Sequence, residues 1–178
     1  RYTAGKLVDT LTTKDGTATS KPLYLGTYTV TEINTPGRYN TPASQSLTVP
    51  DGGTGTVTFS NTLKKGYVEL YKVDTTSDNP LAGAVFGIYN SANIRIGELK
   101  TNADGYAKSG LLPYGDGYYL LEEKAPEGYV LDTTKHYFNI RTNGQTITIR
   151  TNNQSQMGQI TVQKNDGETG EAVTSPAT

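Results

Sequence analysis

Cysteine is absent from the 178-residue sequence, and histidine occurs once. Without cysteine the chain has no disulfides and no thiolate metal sites. Small extracellular β-domains commonly depend on disulfides, so a domain of that class would need a different covalent cross-link here. The lone histidine, His136, has no cluster of acids nearby, so we expect a strand-surface residue, no metal site and no cofactor.

Long apolar runs and clusters of basic residues are also missing. No segment is apolar over the length that a bilayer requires, and no signal peptide is present, so we expect any targeting or anchoring segment to lie outside this stretch. The formal net charge of -1 and the scattered Lys and Arg residues argue against a nucleic acid or an anionic membrane as partner.

The residues that are abundant favour strands and turns. The chain contains 20 Gly and 13 Tyr, with many Thr and Val, and no window holds apolar residues at helical spacing. We therefore predict an all-β protein. With 34% hydrophobic residues and a mean hydropathy of -0.53, the composition suits two small domains better than one large core.

An internal repeat defines the folding unit. The segment GTYTVTEINTPGRY (26–39) has the same order of Tyr, aliphatic, Glu, Pro and Tyr as YYLLEEKAPEGY (118–129), which aligns Glu32 with Glu122. Likewise GYVELYKVD (66–74) aligns with GQITVQKND (158–166). A unit therefore begins at a strand that carries a lysine, Lys72 or Lys164, which we call the lysine strand. It ends at a strand that carries an asparagine, Asn61 or Asn153.

The lysines and asparagines of these strands keep a constant spacing. Lys72 aligns with Lys164, and Asn61 precedes Lys72 by the same interval that separates Asn153 from Lys164. We predict three parts: residues 1–63 as a domain without its lysine strand, 65–154 as a complete domain, and 158–178 as the opening strand of a further domain. Seven short strands in the complete domain, separated by turn signals, predict a β-sandwich of the immunoglobulin-like or prealbumin-like kind; they are 67–73, 84–89, 95–101, 106–109, 118–124, 136–140 and 146–151.

Side-chain alternation selects three polar residues on apolar stripes. Lys72 shares a face with Val68 and Leu70, and Glu122 shares one with Tyr118 and Leu120. The same parity favours Asn153 over its neighbour Asn152, which remains the alternative if the register shifts. Burying an isolated Lys or Glu is costly, so we expect these side chains to meet and satisfy one another, while Glu123 faces solvent.

These motifs resemble the Cna B-type (CnaB, SpaA-like) domains of Gram-positive surface proteins and pilins. Their pattern places a Lys on the first strand, a Glu in YxLxExxAPxGY and an Asn on the last strand. Residues 118–129 match that pattern, whereas the first copy has Thr35 in place of the Ala and PGRY in place of PxGY. The resemblance implies an intramolecular isopeptide bond between Lys72 and Asn153, assisted by Glu122.

The residue types suit that chemistry. Burial lowers the pKa of a lysine and supplies a neutral amine as nucleophile. A glutamate in the same pocket, when protonated, can polarise the Asn carbonyl and pass protons to the leaving ammonia. By the same resemblance Glu32 and Asn61 belong to a site in the first domain, whose lysine lies before residue 1 or comes from another chain.

The last lysine strand, residues 158–178, leaves two interpretations open. The segment with Lys164 either begins the next domain of a longer repeat protein or completes the first domain of a neighbouring chain, head to tail. The leading functional hypothesis is an extracellular stalk or shaft module of a cell-wall adhesin or pilus, without turnover catalysis. The alternative is an adhesin domain that binds a host matrix protein or glycan, for which the short turns offer no clear surface.

Overall fold

Every regular element of the chain is a β-strand in the part that the computed structural model describes, residues 2–173. The predicted all-β class is confirmed. None of these residues belongs to a helix that could cross a membrane. The strands in chain order are β1 (Gly26–Val30), β2 (Gln45–Val49), β3 (Lys65–Asp74), β4 (Val85–Tyr89), β5 (Arg95–Lys100), β6 (Tyr106–Lys108), β7 (Leu112–Pro113), β8 (Gly115–Lys124), β9 (His136–Ile140) and β10 (Thr146–Asn153).

The strands form one hairpin and two four-stranded sheets. The hairpin pairs β1 with β2. One large sheet has the order β10-β3-β6, with β7 also pairing with β3, and the other has the order β5-β4-β8-β9. Strands β3 and β10 are therefore neighbours although they stand at opposite ends of the predicted complete domain, residues 65–154. This sandwich-like arrangement agrees with the predicted fold.

The core follows the alternation of side chains along each strand. In β3 the residues Val68, Leu70 and Lys72 are fully buried, and in β8 Leu120 and Glu122 are buried on one parity. Burial of an apolar side chain such as Val68, Leu70 or Leu120 contributes about 1.5–3 kcal/mol to the free energy of folding. The remaining apolar core includes Phe86, Ile88, Leu99 and Phe138. Two charged residues thus continue the apolar stripes that the sequence predicts.

The chain divides into two compact units. One runs from the N-terminal residues to Tyr67 and includes Gly110–Asp116 and Asn139–Ile147. The other comprises Val68–Ser109, Gly117–Phe138 and the chain from Thr148 onward. The boundaries at 63 and 65 that the repeat suggests remain a prediction.

Two elements differ from the sequence-based expectations. Strand β7 was not predicted, because a two-residue strand that contains Pro113 has no alternating pattern to detect. Conversely, residues 158–173 contain no strand, only an isolated bridge between Asn165 and Ala172. The predicted opening strand has no neighbouring strand to pair with in the described range, and residues 174–178 lie outside it.

Candidate functional site

Lys72 occupies a position that a lysine seldom has. It lies near the end of β3, its side chain is 0% exposed, and its Nζ is 5.2 Å from the centre of the Phe86 ring. The Nζ donates a hydrogen bond of 2.9 Å to the backbone oxygen of Asn152 and lies 3.3 Å from Glu122 Oε1. Burial lowers the pKa of Lys72, against the opposing influence of the Glu122 carboxylate.

The backbone around Lys72 is held on both edges. Its N–H donates to the carbonyl of Gly105 at 2.7 Å, and its carbonyl accepts from the N–H of Leu81 at 2.8 Å. Two further contacts join the ends of β3 and β10, from Thr75 N–H to the carbonyl of Asn153 at 3.0 Å and from the Ser155 hydroxyl to Asp74 at 3.2 Å. The lysine therefore projects from a segment with little freedom to shift.

Glu122 lies on β8 and is 3% exposed. Its Oε2 accepts hydrogen bonds from Asn153 Nδ2 at 2.8 Å and from the backbone N–H of Asp132 at 2.7 Å. Its Oε1 faces Lys72 at 3.3 Å without the alignment of a hydrogen bond. One carboxylate thus lies between the lysine nitrogen and the amide nitrogen.

Glu123, the residue after Glu122 on β8, lies at a β-bulge. Phe86 of β4 pairs with Glu122 and Val85 pairs with Lys124, which makes Glu123 the additional residue on β8. Its carboxylate accepts two 2.8 Å hydrogen bonds from Arg95 and one from the Tyr89 hydroxyl. The expectation that Glu123 faces away from Glu122 is met. Glu123 is exposed, but its side chain, 28% exposed, is ion-paired with Arg95 and is not freely solvated.

Asn153 ends β10 and is 2% exposed. Its Nδ2 donates to Glu122 and, at 2.7 Å, to the backbone oxygen of Val130, while its Oδ1 accepts no hydrogen bond from the described residues. Asn152 points the other way: its side chain is exposed and accepts from the Thr75 hydroxyl at 3.1 Å. Of the two asparagines left open by the sequence, Asn153 is the one whose side chain lies beside Glu122.

The first copy of the motif brings Glu32 and Asn61 together in a more open setting. Asn61 Nδ2 donates to both oxygens of Glu32, at 3.0 and 2.9 Å. Glu32 is half-buried and Asn61 is exposed. No lysine is ion-paired with Glu32 within residues 2–173. Lys164, the aligned lysine of the last segment, is exposed to solvent.

Two contributors to the site escaped sequence reasoning. The carbonyl of Val130 contacts Asn153 and the N–H of Asp132 contacts Glu122. These are backbone groups, which every residue type has, so the sequence gives no sign of them.

The sole histidine, His136, is half-buried, with Nε2 3.3 Å from Asp132 Oδ2. The described residues contain no cluster of His, Asp and Glu arranged to hold a metal ion.

The chain is similar in sequence to surface proteins and pilins of Gram-positive bacteria. The Trypsin-resistant surface T6 protein of Streptococcus pyogenes serotype M6 is 38% identical over 119 residues, which cover 65% of this chain and 21% of that protein. Among solved structures, the Bacillus anthracis TIE protein is 34% identical with a TM-score of 0.68, covering 74% of this chain and 25% of that one. The T6 backbone pilin of serotype M6 Streptococcus pyogenes is 31% identical with a TM-score of 0.41, covering 55% of this chain and 18% of that one.

The family match extends over most of the chain. The chain spans about a fifth to a quarter of the length of these relatives. The family described as SpaA, a prealbumin-like fold domain, matches residues 2–63 and 66–155. The resemblance that the Lys, Glu and Asn motifs indicated is confirmed. The chain therefore belongs to the SpaA family of prealbumin-like fold domains.

Proposed function

We propose that this chain is a structural segment of a stalk or pilus shaft at the cell wall of a Gram-positive bacterium. Its relatives include a surface protein and a backbone pilin, which supports a load-bearing role outside the cell. Within the complete domain, Lys72 and Asn153 form an isopeptide bond with the help of Glu122. The site reacts once in each molecule, so the chain is not a turnover enzyme.

The proposal rests above all on the placement of the Glu122 carboxylate. One oxygen is 3.3 Å from the nitrogen of Lys72, and the other is 2.8 Å from the nitrogen of Asn153. The reaction must remove a proton from the first nitrogen and deliver protons to the second. A carboxyl group that contacts both nitrogens is placed for both transfers.

The steps balance without any further reactant. Lys72 gives its extra proton to Glu122 and becomes a neutral amine, which burial favours. The amine attacks Cγ of Asn153, the Nζ–Cγ bond forms, and the carbonyl electrons move to Oδ1. Glu122 protonates Nδ2 and takes the second proton from Nζ. The electrons on Oδ1 then re-form the carbonyl as the Cγ–Nδ2 bond breaks, ammonia leaves, and Glu122 keeps the last proton.

The geometry favours one of the two roles that the sequence suggested for Glu122. Its carboxylate contacts Nδ2 of Asn153, the atom that departs, and no hydrogen bond connects it to Oδ1. We therefore assign Glu122 to proton transfer between nitrogens. We find no contact that supports the other role, polarisation of the Asn153 side-chain carbonyl by Glu122.

Intact-mass spectrometry of the folded chain tests the bond. We expect the mass to be lower than the sequence mass by one ammonia for the complete domain, and Lys72→Met and Glu122→Gln to restore the full mass. Glu123→Gln is the matched control, because it changes the adjacent carboxylate on β8 and should leave the ammonia loss intact. An unmodified mass in correctly folded wild-type protein would refute the proposal.

We propose a second site of the same type at Glu32 and Asn61, with a lysine carried by another strand. The support is the contact between the Asn61 amide and the Glu32 carboxylate, which repeats the Asn153 to Glu122 contact. If that strand is the Lys164 segment of a second copy, head-to-tail chains form, and a ladder of bands on a denaturing gel should disappear with Lys164→Arg. Monomer bands alone would leave the strand of a neighbouring domain as the lysine source.

A further inference from the structure

The segment that follows β8 crosses the reacting side chains. After the turn at Pro126 and Gly128, two of its backbone groups reach the site. The Val130 carbonyl accepts from Asn153 Nδ2 at 2.7 Å, and the Asp132 N–H donates to Glu122 Oε2 at 2.7 Å. The segment thus contacts both the group that leaves and the group that moves the protons.

The Val130 carbonyl determines the orientation of the Asn153 amide. A carbonyl oxygen has no proton to donate, so only the NH₂ end of an amide can face it favourably. With Nδ2 turned toward Val130, the same nitrogen also donates to Glu122, and Oδ1 accepts no hydrogen bond from the residues that the structure describes. If the amide were reversed, Oδ1 would face the Val130 carbonyl, and the departing nitrogen would lose its contact with Glu122.

The Asp132 side chain holds this segment in place. Its Oδ1 accepts from the N–H of Thr134 at 2.9 Å, closing a short turn, and its Oδ2 lies 3.3 Å from Nε2 of His136 at the start of β9. The other side of the segment is fastened where the Val130 N–H donates to the carbonyl of Gln154 at 2.9 Å. Asp132 therefore connects the backbone groups of the site to a strand of the sheet.

We propose that Asp132 is a positioning residue for isopeptide formation. Its side chain fixes the backbone groups that orient the Asn153 amide and the Glu122 carboxylate, and it does so through the turn to Thr134. The Asp132 charge also acts on Lys72, where it opposes the lowering of the pKa by burial, and the variants below separate that effect from positioning. This inference rests on the proposed function. Asp132 makes no contact with the reacting carbon, so its effect is on the geometry from which Lys72 attacks.

The rate of ammonia loss tests the role of Asp132. The full chain is synthesised in a cell-free system and quenched in acid at intervals, and its mass is measured. Asp132→Ala and Asp132→Glu should slow the reaction by roughly tenfold to a hundredfold, since small displacements of a reacting group have effects of that size. Asp132→Asn keeps an oxygen for the Thr134 N–H and should stay within about twofold of wild type. Glutamate keeps the charge but cannot close the short turn, so it separates the two contributions.

Controls separate positioning from stability and from the proposed function. Asp166 also accepts from two backbone N–H groups at 2.8 Å in an exposed turn, and Asp166→Glu should leave the rate unchanged. Melting temperatures of the Asp132 variants are compared in a Lys72→Met background, where no bond forms. The rate of ammonia loss, measured with Lys72 present, should fall in Asp132→Glu even if Asp132→Glu does not lower the melting temperature. A wild-type rate in Asp132→Glu, or equal slowing in Asp132→Asn, overturns this inference alone. A wild-type chain that never loses ammonia overturns the proposed function instead.

Discussion

Lys72 is among the largest fully buried side chains in the described chain, and it is the one that carries an amine. A buried ammonium group is destabilising unless partners compensate for the loss of water, and here the Asn152 carbonyl and the Glu122 carboxylate are the nearest polar partners, with the Phe86 ring 5.2 Å away. The neutral amine is therefore favoured in the folded domain relative to the unfolded chain. By the proposed mechanism, the same burial that weakens the unreacted fold also favours the neutral amine that acts as nucleophile.

A pH dependence of stability follows from the lowered pKa of Lys72. In Asn153→Ala, which cannot form the bond, the folded state releases the Lys72 proton at a lower pH than the unfolded chain does. Because the unfolded state then binds more protons, the free energy of unfolding should rise with pH from the folded pKa up to about 10.5, the ordinary lysine value, and level off above it. Urea unfolding across the alkaline range measures this.

The control is Asn153→Ala combined with Lys72→Met, which removes the titrating amine and keeps the other groups. Subtracting its pH profile isolates the lysine. A difference that does not change with pH would contradict the lowered pKa.

The sequence predicts which side chains approach one another, but not how each is oriented. Strand parity is enough to separate Asn153 from Asn152 and Glu122 from Glu123, because each pair lies on opposite faces. The orientation of the Asn153 amide depends on the Val130 carbonyl, and every residue type has such a carbonyl. Isopeptide formation itself remains a prediction.

At the level of elements, strands with alternating side chains were predictable and short or unpaired ones were not. All seven strands proposed for the complete domain are present, with bounds that differ by a few residues. Strand β7 is too short to show a period. The segment with Ile160 and Val162 has the alternation of β3, yet these side chains are 93% and 83% exposed. Alternating side chains indicate a tendency to form a strand, but a strand also requires a neighbouring strand with which to form hydrogen bonds.

The turn between β5 and β6 provides an element-scale prediction. Gly105 has φ of +67°, and a Cβ there would overlap the carbonyl of Lys72 and lie 3.0 Å from the nitrogen of Leu81. Because both the strained backbone and the collision with backbone atoms oppose a side chain, Gly105→Ala should lower the free energy of unfolding by about 2–4 kcal/mol. It should also slow bond formation by shifting β3.

Gly110→Ala is the matched control, since a Cβ at Gly110 meets no atom within 4 Å and the backbone has no positive φ. Chemical denaturation of both variants in the Lys72→Met background compares them without the cross-link. Equal stability of the two would contradict the role of close approach at Gly105.

For the whole molecule, the proposed bond changes how the chain responds to tension. Lys72 and Asn153 are separated by 81 positions, and β3 and β10 are neighbours in one sheet. A force applied at the two ends would pass through the bond and leave the intervening residues folded. In single-molecule pulling, Lys72→Met should show an extra extension of roughly 280 Å, at about 3.5 Å per residue.

Glu123→Gln is the control for the pulling experiment, because the bond should persist and the extension should equal that of the wild type. The same extension in wild type and Lys72→Met would show that no covalent path joins the two strands.

Exclusion of solvent from Lys72, Glu122 and Asn153 also bears on how long the proposed linkage would last. Cleavage of an amide requires a water molecule at the carbonyl carbon, and these side chains are 0–3% exposed. The folded domain therefore keeps bulk water away from the carbonyl carbon of the proposed amide. If the proposed bond forms, its hydrolysis should be slow, and the cross-link should persist for as long as the domain stays folded.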